Sequence, residues 1–383
     1  MKFELCNPTK ILFGQGQIAA IGSLIPADAR ILLLYGGGSI KSNGVYDQVM
    51  AALQGRHVDE VGGVEANPHY ETLQKASALA RTNGTTFVLG VGGGSVIDAA
   101  KFLASMITTG FDDPWDKLVK EGETVKAVPN GAVLTLPATG SESNPVSVIS
   151  STVRKLKIPF VNQAARPAFA VLDPTTMLSL DRRQLENGVV DAFTHVLEQY
   201  LTLPVNAPVQ FGFSETLLQV LIEWGPVLVE TRSREACENV MWAANQALNG
   251  LIGAGVPQDW STHMIGHAIT TLHGIDHART LSMIMPSLFR YKLQPKTGML
   301  ARYGRRVWNL AEPDDRRAAE RAIVCTEEFM ARMGCPIRIS DMPGLTIETD
   351  LLVEHLEKAG HTCLGEAQDI RPQDVRTILQ MAQ

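Results

Sequence analysis

The amino-acid sequence predicts an α/β domain with a parallel sheet over residues 1–180, followed by an all-α domain over residues 181–383. In the first part, short apolar runs such as ILLLY and FVLGV alternate with stretches of helical period, which is typical of strands joined by crossover helices. From residue 181 onward the strand-like runs stop, and segments such as SETLLQVLIEW keep a helical period. These two patterns define the predicted fold class.

Each element of the α/β domain has its own signal. A helical period predicts one helix near residues 70–82 and another that contains VIDAAKFLASM. The turn Asp173-Pro174, which is biased towards extended backbone, closes the domain. Apolar runs rich in leucine and β-branched residues predict strands at 31–35, 87–91, 131–137 and 168–173.

Composition and charge favour a partner of small-molecule size. The chain of 383 residues has 34 Lys and Arg against 40 Asp and Glu, and this net charge of -6 disfavours a nucleic-acid or anionic-membrane surface. The N-terminus lacks the apolar run of a signal peptide, and no apolar run reaches the roughly 18 residues of a spanning helix. We therefore expect a cytoplasmic protein whose five scattered cysteines are reduced core residues.

A glycine-rich loop follows the strand at 87–91 and leads directly into a helix. Glycine lets the backbone approach a ligand closely, and the amides of a helix N-terminus attract phosphate oxygens. Gly93, Gly94 and Ser95 in the loop, with Asp98 on the helix, are therefore predicted to contact the pyrophosphate of a dinucleotide. The pattern is not G-x-G-x-x-G, and the alternative is a tight turn that binds no ligand.

A second glycine cluster follows the strand at 31–35. An acidic residue after such a strand binds the ribose 2′-hydroxyl of NAD and repels a 2′-phosphate, but this loop has no acid. Gly37, Gly38 and Ser39 offer amide and hydroxyl donors, and Lys41 adds a positive charge. The loop therefore favours NADP(H) over NAD(H), unless Lys41 is only a solvated surface residue.

Hydroxyl side chains are concentrated in the segment TLPATGSES, directly after the strand at 131–137. Thr135, Thr139 and Ser141 are predicted to line the phosphates or the nicotinamide of the cofactor. The same composition is equally typical of an ordinary turn rich in serine and threonine.

Histidines are unusually dense in the second domain. Asp191 and His195 are four residues apart, which places a carboxylate and an imidazole on one helical face. Taken alone, such a pair is more often a hydrogen bond than a metal site. Three imidazoles with one carboxylate suit either Zn²⁺ or Fe²⁺, and the absence of H-E-x-x-H disfavours a zinc protease. Five of the nine histidines lie in this region: His195, His263, His267, His273 and His277.

The order of these motifs resembles the iron-containing (group III) alcohol dehydrogenases, in particular their NADP-dependent aldehyde-reductase branch. The resemblance extends over nearly the whole chain. It is carried by PTKILFGQG, the Asn67-Pro68 turn, GGGSVIDAAK, LPATGSESN, GVVDAFTHVLEQY and ALNGLIGAGVPQDWSTHMIGHAITTLHGIDHA. It implies the dehydroquinate synthase-like fold of that family, with a dinucleotide-binding domain, a helical domain and a homodimer or larger assembly.

The resemblance also implies roles for particular residues. It adds Asn67 and Lys157 to the expected cofactor-binding residues, and it places His267 beside the metal but outside the ligand set. Ala138 stands where many relatives have glycine, so the resemblance does not define the contacts of that loop. The ligands that it implies for one divalent metal ion, Zn²⁺ or Fe²⁺, are Asp191, His195, His263 and His277.

The expected function is interconversion of aldehydes and primary alcohols, with the metal polarising the oxygen and NADP(H) carrying the hydride. His267 or His273 is expected to relay the proton, because imidazole titrates near neutral pH. The alternatives are an NAD-linked glycerol or polyol dehydrogenase, a dehydroquinate-synthase-like lyase, and a non-catalytic nucleotide-binding protein with a structural metal. Residues 250–277 contain no Arg or Lys, which disfavours phosphorylated substrates.

Overall fold

The computed structural model describes residues 1–383, and the chain divides into two compact units. Cys6–Leu180 forms one unit, and Met1–Leu5 joins Asp181–Gln383 in the other. The predicted division at residue 180 therefore differs from this one in the first five residues. Their side chains explain the difference, because Met1 and Phe3 lie against Gly255 of the helical unit.

The α/β unit is built on a six-stranded sheet in which every neighbouring pair is parallel. The strand order is β1-β8-β5-β4-β2-β3, and β6 and β7 form a separate antiparallel pair. The strands are β1 (Lys10–Phe13), β2 (Arg30–Tyr35), β3 (His57–Val61), β4 (Phe87–Gly93), β5 (Asn130–Leu136), β6 (Val146–Ser151), β7 (Leu156–Val161) and β8 (Phe169–Leu172).

Helices cover both faces of this sheet. Alternate residues of a strand point to opposite faces, so Leu32 and Leu34 pack into one apolar cluster while Ile31 and Leu33 pack into another. Burial on both faces is the reason why the central strands are continuously apolar. The helices of this unit are α1 (Ile21–Leu24), α2 (Ser39–Ser42), α3 (Val45–Ala52), α4 (Tyr70–Thr82), α5 (Gly94–Thr109) and α6 (Trp115–Glu121).

The helical unit contains no strand, so the predicted fold class is confirmed. Its helices are α7 (Arg182–Tyr200), α8 (Pro208–Thr231), α9 (Arg234–Ala247), α10 (Ser261–His273), α11 (His277–Tyr291), α12 (Leu293–Val307), α13 (Asp315–Arg332), α14 (Thr349–Lys358) and α15 (Pro372–Met381).

Helix α7 is the central element for the site. Its first turn is closed by a capping box, in which the Asp181 carboxylate accepts from the Gln184 amide at 2.7 Å and the Gln184 side chain accepts from the Asp181 amide at 3.1 Å. This box sets where the helix begins. From Leu185 to its last residue, Tyr200, the helix is buried apart from partial exposure at Asn187, so the polar side chains on this stretch need internal partners.

No helix of the protein combines the length and apolar character that crossing a bilayer requires. None of the five cysteines is in a disulfide. Cys237, Cys325 and Cys335 are buried as predicted, whereas Cys6 is exposed and Cys363 is partly exposed, so the assignment of these two to the core was wrong. Cys6 lies in the N-terminal segment that precedes β1, where the chain is exposed up to Pro8.

Candidate functional site

The first glycine loop lies where β4 ends and α5 begins. Gly93 closes the strand, two residues beyond the predicted end at 91, and Gly94 is the first residue of the predicted helix. A side chain does not fit at Gly94, because its Cβ would lie 2.3 Å from Thr139 Oγ1. The backbone of the loop therefore packs directly against the hydroxyl-rich segment. Its amides lie at the N-terminus of a 16-residue helix, where phosphate oxygens bind favourably.

Three predicted cofactor residues from distant parts of the sequence meet beside this loop. The amide of Asn67 donates to Ser95 Oγ at 3.3 Å, and Lys157 Nζ donates to Asn67 Oδ1 at 2.7 Å. Asn67 has a left-handed backbone with a φ of 58°, a conformation that asparagine tolerates better than most residues. The structure thus brings an ammonium, an amide and a hydroxyl together at the N-terminus of α5.

Asp98 and Ser141 contact each other. Ser141 Oγ donates to Asp98 Oδ1, and the amide of Val148 donates to Asp98 Oδ2 at 3.0 Å. The buried ammonium of Lys101 lies 3.3 Å from the same carboxylate. These contacts tie α5 to the hydroxyl-rich segment, and direct contact of Asp98 with a cofactor stays a prediction.

The hydroxyl-rich segment itself is buried. Thr135 lies near the end of β5 and is 7% exposed, and Thr139 Oγ1 accepts from the Ser141 amide at 3.2 Å. Gly140 between them has a φ of 58°, which turns the chain. A cofactor contact for Thr135, Thr139 or Ser141 likewise stays a prediction.

The second glycine loop lies between β2 and α2. Gly38 has a φ of 100°, and α2 begins at Ser39, while no atom approaches a Cβ built on Gly37. Lys41 Nζ lies 4.7 Å and 4.6 Å from two tyrosine rings, those of Tyr35 and Tyr46. Sequence reasoning missed Glu60 on the neighbouring strand, which lies 3.7 Å from Lys41 Nζ and offsets part of its charge.

The histidine cluster is assembled by three helices of the second unit. Asp191 and His195 project from α7, His263 from α10, and His277 is the first residue of α11. The Nε2 atoms of His195 and His263 are 3.1 Å apart. Asp191 Oδ1 lies 3.6 Å from His195 Nδ1, 3.9 Å from His263 Nε2 and 3.8 Å from His277 Nε2.

These separations suit the ligands of one metal ion. Bonds of about 2.0–2.1 Å in tetrahedral geometry place ligand atoms about 3.3 Å apart. One donor atom each from Asp191, His195 and His263 lies within 4.8 Å of the others. Asp191 Oδ1 and His195 Nδ1 are buried without any hydrogen bond, which is costly for polar atoms. A divalent cation fits both the donor set and these two unsatisfied atoms.

The other two predicted histidines lie at different distances from the cluster. The His267 ring centroid is 4.8 Å from that of His277, and the residue is 8% exposed. His273 ends α10 and is partly exposed. His267 therefore borders the cluster. No contact of His273 with the cluster supports its predicted role in proton relay, which stays a prediction.

Burial sets the charge states around the cluster. It lowers the pKa of His195 to about 4, so this imidazole is neutral near pH 7. Burial, together with the charge of Asp259, raises the pKa of Glu198 to about 8. A divalent ion among these groups would favour the carboxylate form, because it stabilises nearby negative charge.

Sequence reasoning missed a group of buried charged residues behind the histidines. Glu198, three residues after His195 on α7, contacts His263 Nδ1. Lys296 Nζ lies 2.9 Å from Asp259 Oδ2 and 2.6 Å from Glu366 Oε1. The spacing of Glu198 from His195 was the one available signal, since residues three apart share a helical face.

Two family models match the chain, one in each half. The model of the iron-containing alcohol dehydrogenase family matches residues 8–174, and that of the Fe-containing alcohol dehydrogenase family, C-terminal, matches residues 186–382.

Individual relatives cover almost the entire chain. The chain is 49% identical to the NADPH-dependent aldehyde reductase YqhD of Escherichia coli, over 99% of both proteins. It is 33% identical to the NADH-dependent butanol dehydrogenase A of Clostridium acetobutylicum, over 99% of this chain and 98% of that protein. A crystal structure of E. coli YqhD superposes with a TM-score of 0.97 at 48% identity, covering 100% of this chain and 99% of that one.

Proposed function

The chain belongs to the iron-containing alcohol dehydrogenase family, and from this premise we propose that it is a metal-dependent, NADPH-linked aldehyde reductase. Its reaction interconverts aldehydes and primary alcohols. The observation that carries the proposal is that one ring nitrogen each of His195, His263 and His277 lies 3.6–3.9 Å from Asp191 Oδ1.

Asp191, His195, His263 and His277 are the residues that would hold the ion. Zn²⁺ and Fe²⁺ both accept this donor set, and the ion supplies Lewis-acid polarisation of the aldehyde oxygen when bound. Neutral imidazoles are required for this, and the lowered pKa of His195 supplies one near pH 7. The buried carboxylate of Asp191 balances part of the charge.

The residues of the α/β unit would bind the dinucleotide. The amides of Gly93, Gly94 and Ser95 stand at the N-terminus of α5, where anions bind favourably. Lys157 and Asn67 would complete the phosphate site beside them. When bound, NADPH supplies the hydride that reduces the carbonyl carbon.

Two observations favour NADPH over NADH. The relative at 49% identity is an NADPH-dependent enzyme, whereas a relative at 33% identity is an NADH-dependent one. The loop Gly37-Gly38-Ser39 carries no acidic side chain that would repel a 2′-phosphate. The ion pair of Lys41 with Glu60 reduces but does not remove the positive charge near this loop.

Completion of the reaction needs a proton on the product oxygen. His267 is our candidate for holding that proton, because its ring lies beside His277 and imidazole exchanges protons near neutral pH. His273 is the second candidate, with only its place at the end of α10 to support it.

Turnover tests this function directly. Protein purified without chelator and loaded with Zn²⁺ or Fe²⁺ is mixed with NADPH and a panel of short aldehydes, and absorbance at the NADPH band is followed. We expect oxidation of NADPH that needs the metal and is slower with NADH. A loaded protein that oxidises NADPH with none of the aldehydes is a nucleotide-binding protein with a structural metal, and the proposal fails.

We further propose that the enzyme is a homodimer or larger homo-oligomer and works in the cytoplasm on a small-molecule substrate. The family resemblance supports the assembly, and five cysteines without a disulfide suit a reducing compartment. Light scattering on a sizing column measures the assembly, and a mass equal to a single chain would contradict it.

A further inference from the structure

Glu198 is a buried carboxylate on α7 that the proposed chemistry has not used. The residue is 1% exposed and lies one helical turn beyond His195. A buried carboxylate is costly unless its oxygens accept hydrogen bonds. Its partners therefore show what it does.

Both oxygens of Glu198 contact the first turn of α10. Oε1 accepts from the Thr262 amide at 2.6 Å, and Oε2 contacts His263 Nδ1. The N-cap position of α10 is Trp260, whose backbone has a φ of 61° and whose side chain caps nothing. Glu198 thus satisfies a helix-end amide that the helix's own cap does not, and with the same carboxylate it contacts the ring of His263.

The contact at Nδ1 determines what the other ring nitrogen can do. In a neutral imidazole one nitrogen carries the proton and the other carries a lone pair. When Nδ1 carries the proton and donates a hydrogen bond to Glu198, the lone pair is on Nε2. This atom lies 3.1 Å from His195 Nε2 and 3.9 Å from Asp191 Oδ1. This is the tautomer that a metal ligand needs.

The other side of this turn is fixed by a buried ion pair. Lys296 Nζ lies 2.9 Å from Asp259 Oδ2, and Asp259 Oδ1 accepts from the Ser261 amide at 3.0 Å. The backbone amide of Asp259 also donates to the carbonyl oxygen of Glu198 at 2.9 Å. The start of α10 is therefore held to α7 by backbone and side-chain contacts together.

We propose that Glu198 is a positioning residue of the metal centre, which fixes the tautomer and the ring orientation of His263 so that Nε2 faces the ion. The inference rests on the proposed metal site. Carboxylates behind histidine ligands commonly act in this way, and their loss typically costs about 10–100-fold in metal affinity or activity.

The test is the affinity for Zn²⁺ and Co²⁺ of Glu198→Gln, measured in competition with a chromophoric chelator. Glutamine keeps the size of the side chain, but its NH₂ group can donate to Nδ1 and so favour the wrong tautomer. We expect affinity to fall at least tenfold and the visible spectrum of the Co²⁺ form to change. Glu198→Asp, which keeps the carboxylate on a shorter chain, should be intermediate.

Glu215→Gln is the matched control. Glu215 is also buried in the helical unit, where it accepts from Tyr200 Oη at 2.9 Å and from Arg302 Nε at 2.6 Å, away from the histidines. Its loss should lower stability without changing the affinity for Zn²⁺. The helical circular-dichroism signal and its cooperative loss in urea report whether each variant has kept the fold of the helical unit.

The inference is overturned if Glu198→Gln binds Zn²⁺ within threefold of the wild-type affinity, or if Glu215→Gln loses as much Zn²⁺ affinity as Glu198→Gln does. If Glu198→Gln does not fold, the inference is overturned when the folded Glu198→Asp variant loses Zn²⁺ binding completely although it keeps the carboxylate. Failure of the proposed function looks different, since the wild-type protein itself would then lack metal-dependent turnover. A wild type that turns over while Glu198→Gln binds Zn²⁺ normally refutes only the role of Glu198.

Discussion

At the residue scale, burial decides whether His195 can serve as a ligand. Its pKa falls to about 4 because the charged imidazolium is disfavoured away from water. The unfolded chain protonates the same residue near the ordinary value of 6.5. Between pH 6.5 and 4 the unfolded state therefore binds a proton that the folded state does not. This contribution to stability is fully present above pH 6.5 and is lost as the pH falls through that window.

The metal-free protein should therefore lose stability on acidification in a way that depends on His195. From pH 7 to pH 4 the free energy of unfolding of the wild type should drop by about 3 kcal/mol more than that of His195→Gln. Urea titrations at a series of pH values measure the difference. Equal pH slopes for His195→Gln and wild type would contradict the prediction.

Gly94 is a second residue at which local geometry leads to a prediction. The Cβ of Gly94→Ala would meet Thr139 Oγ1 at 2.3 Å, so the loop or the hydroxyl segment has to move. We expect a loss of about 1–3 kcal/mol in stability, the usual cost of overpacking, and weaker NADPH binding. Urea unfolding and NADPH fluorescence measure the two effects.

Gly212→Ala is the control for this substitution. Gly212 lies inside α8, where a Cβ meets no atom within 4 Å. Replacing a mid-helix glycine should leave NADPH binding unchanged and raise stability by about 0.5–1 kcal/mol. If Gly94→Ala binds NADPH as tightly as Gly212→Ala does, the close approach at this loop is not functionally important.

At the element scale, the sequence predicts central strands better than edge strands. The strand at 31–35 is confirmed, because burial on both sheet faces makes it continuously apolar. The helix at 70–82 is confirmed because its buried residues recur with helical period. β3 has the sequence HVDEV and lies at an edge of the sheet. Its polar residues break the apolar pattern, so the sequence did not predict a strand there. β1 at the other edge and the β6–β7 pair were missed as well, because they are only partly buried.

The same contrast applies to the candidate site. The spacing of Asp191 and His195 could be recognised because an i,i+4 pair shares a helical face. Lys296 could not be recognised and Glu198 had only its spacing from His195 as a signal, since a glutamate or lysine on a helix is usually solvated and only the tertiary fold buries these two. Glu60 was missed for a related reason, because it reaches Lys41 from another strand.

The junction of α7 and α11 yields a prediction at this scale. Asp276, immediately before His277, accepts from Arg183 Nε at 2.6 Å and from Asn187 Nδ2 at 2.8 Å, both on α7. Asp276→Ala removes this link between two ligand-bearing helices. We expect stability to fall by about 1–2 kcal/mol and Zn²⁺ affinity to fall with it.

A surface ion pair provides the comparison for Asp276. Glu238 accepts from Arg234 Nε at 2.7 Å within α9, where the pair is largely exposed. Glu238→Ala should change stability by no more than about 0.5 kcal/mol and leave Zn²⁺ affinity unchanged. Calorimetric unfolding measures the stability of both variants, and competition with a chelator measures their Zn²⁺ affinity. Identical Zn²⁺ affinities for Asp276→Ala and Glu238→Ala would show that the link does not position His277.

At the scale of the whole molecule, the chain carries its two candidate sites in separate compact units. The glycine loops belong to Cys6–Leu180, and the histidine cluster belongs to the unit formed largely by Asp181–Gln383. A ligand stabilises the part of a protein that binds it, by about 2.7 kcal/mol at a hundredfold excess over its Kd. Each ligand should therefore protect its own unit most strongly.

Amide hydrogen exchange measures this protection along the chain. Zn²⁺ should slow exchange most in α7 and at the start of α10, whereas NADPH should slow it most in residues 92–98. A variant such as His263→Ala should lose the first effect and keep the second. The assignment of ligands to units would be wrong if Zn²⁺ protected residues 92–98 more than α7.

The central claim is that four side chains of the helical unit hold one catalytic divalent ion. Metal content per chain, measured by mass spectrometry on protein purified without chelator, tests it most directly when His263→Ala and His277→Ala are analysed beside the wild type. We predict about one Zn²⁺ or Fe²⁺ per wild-type chain, the number that one set of ligands binds, and almost none in either variant, with NADPH-dependent aldehyde reduction lost in parallel. Full metal content and full activity in either variant would contradict the claim.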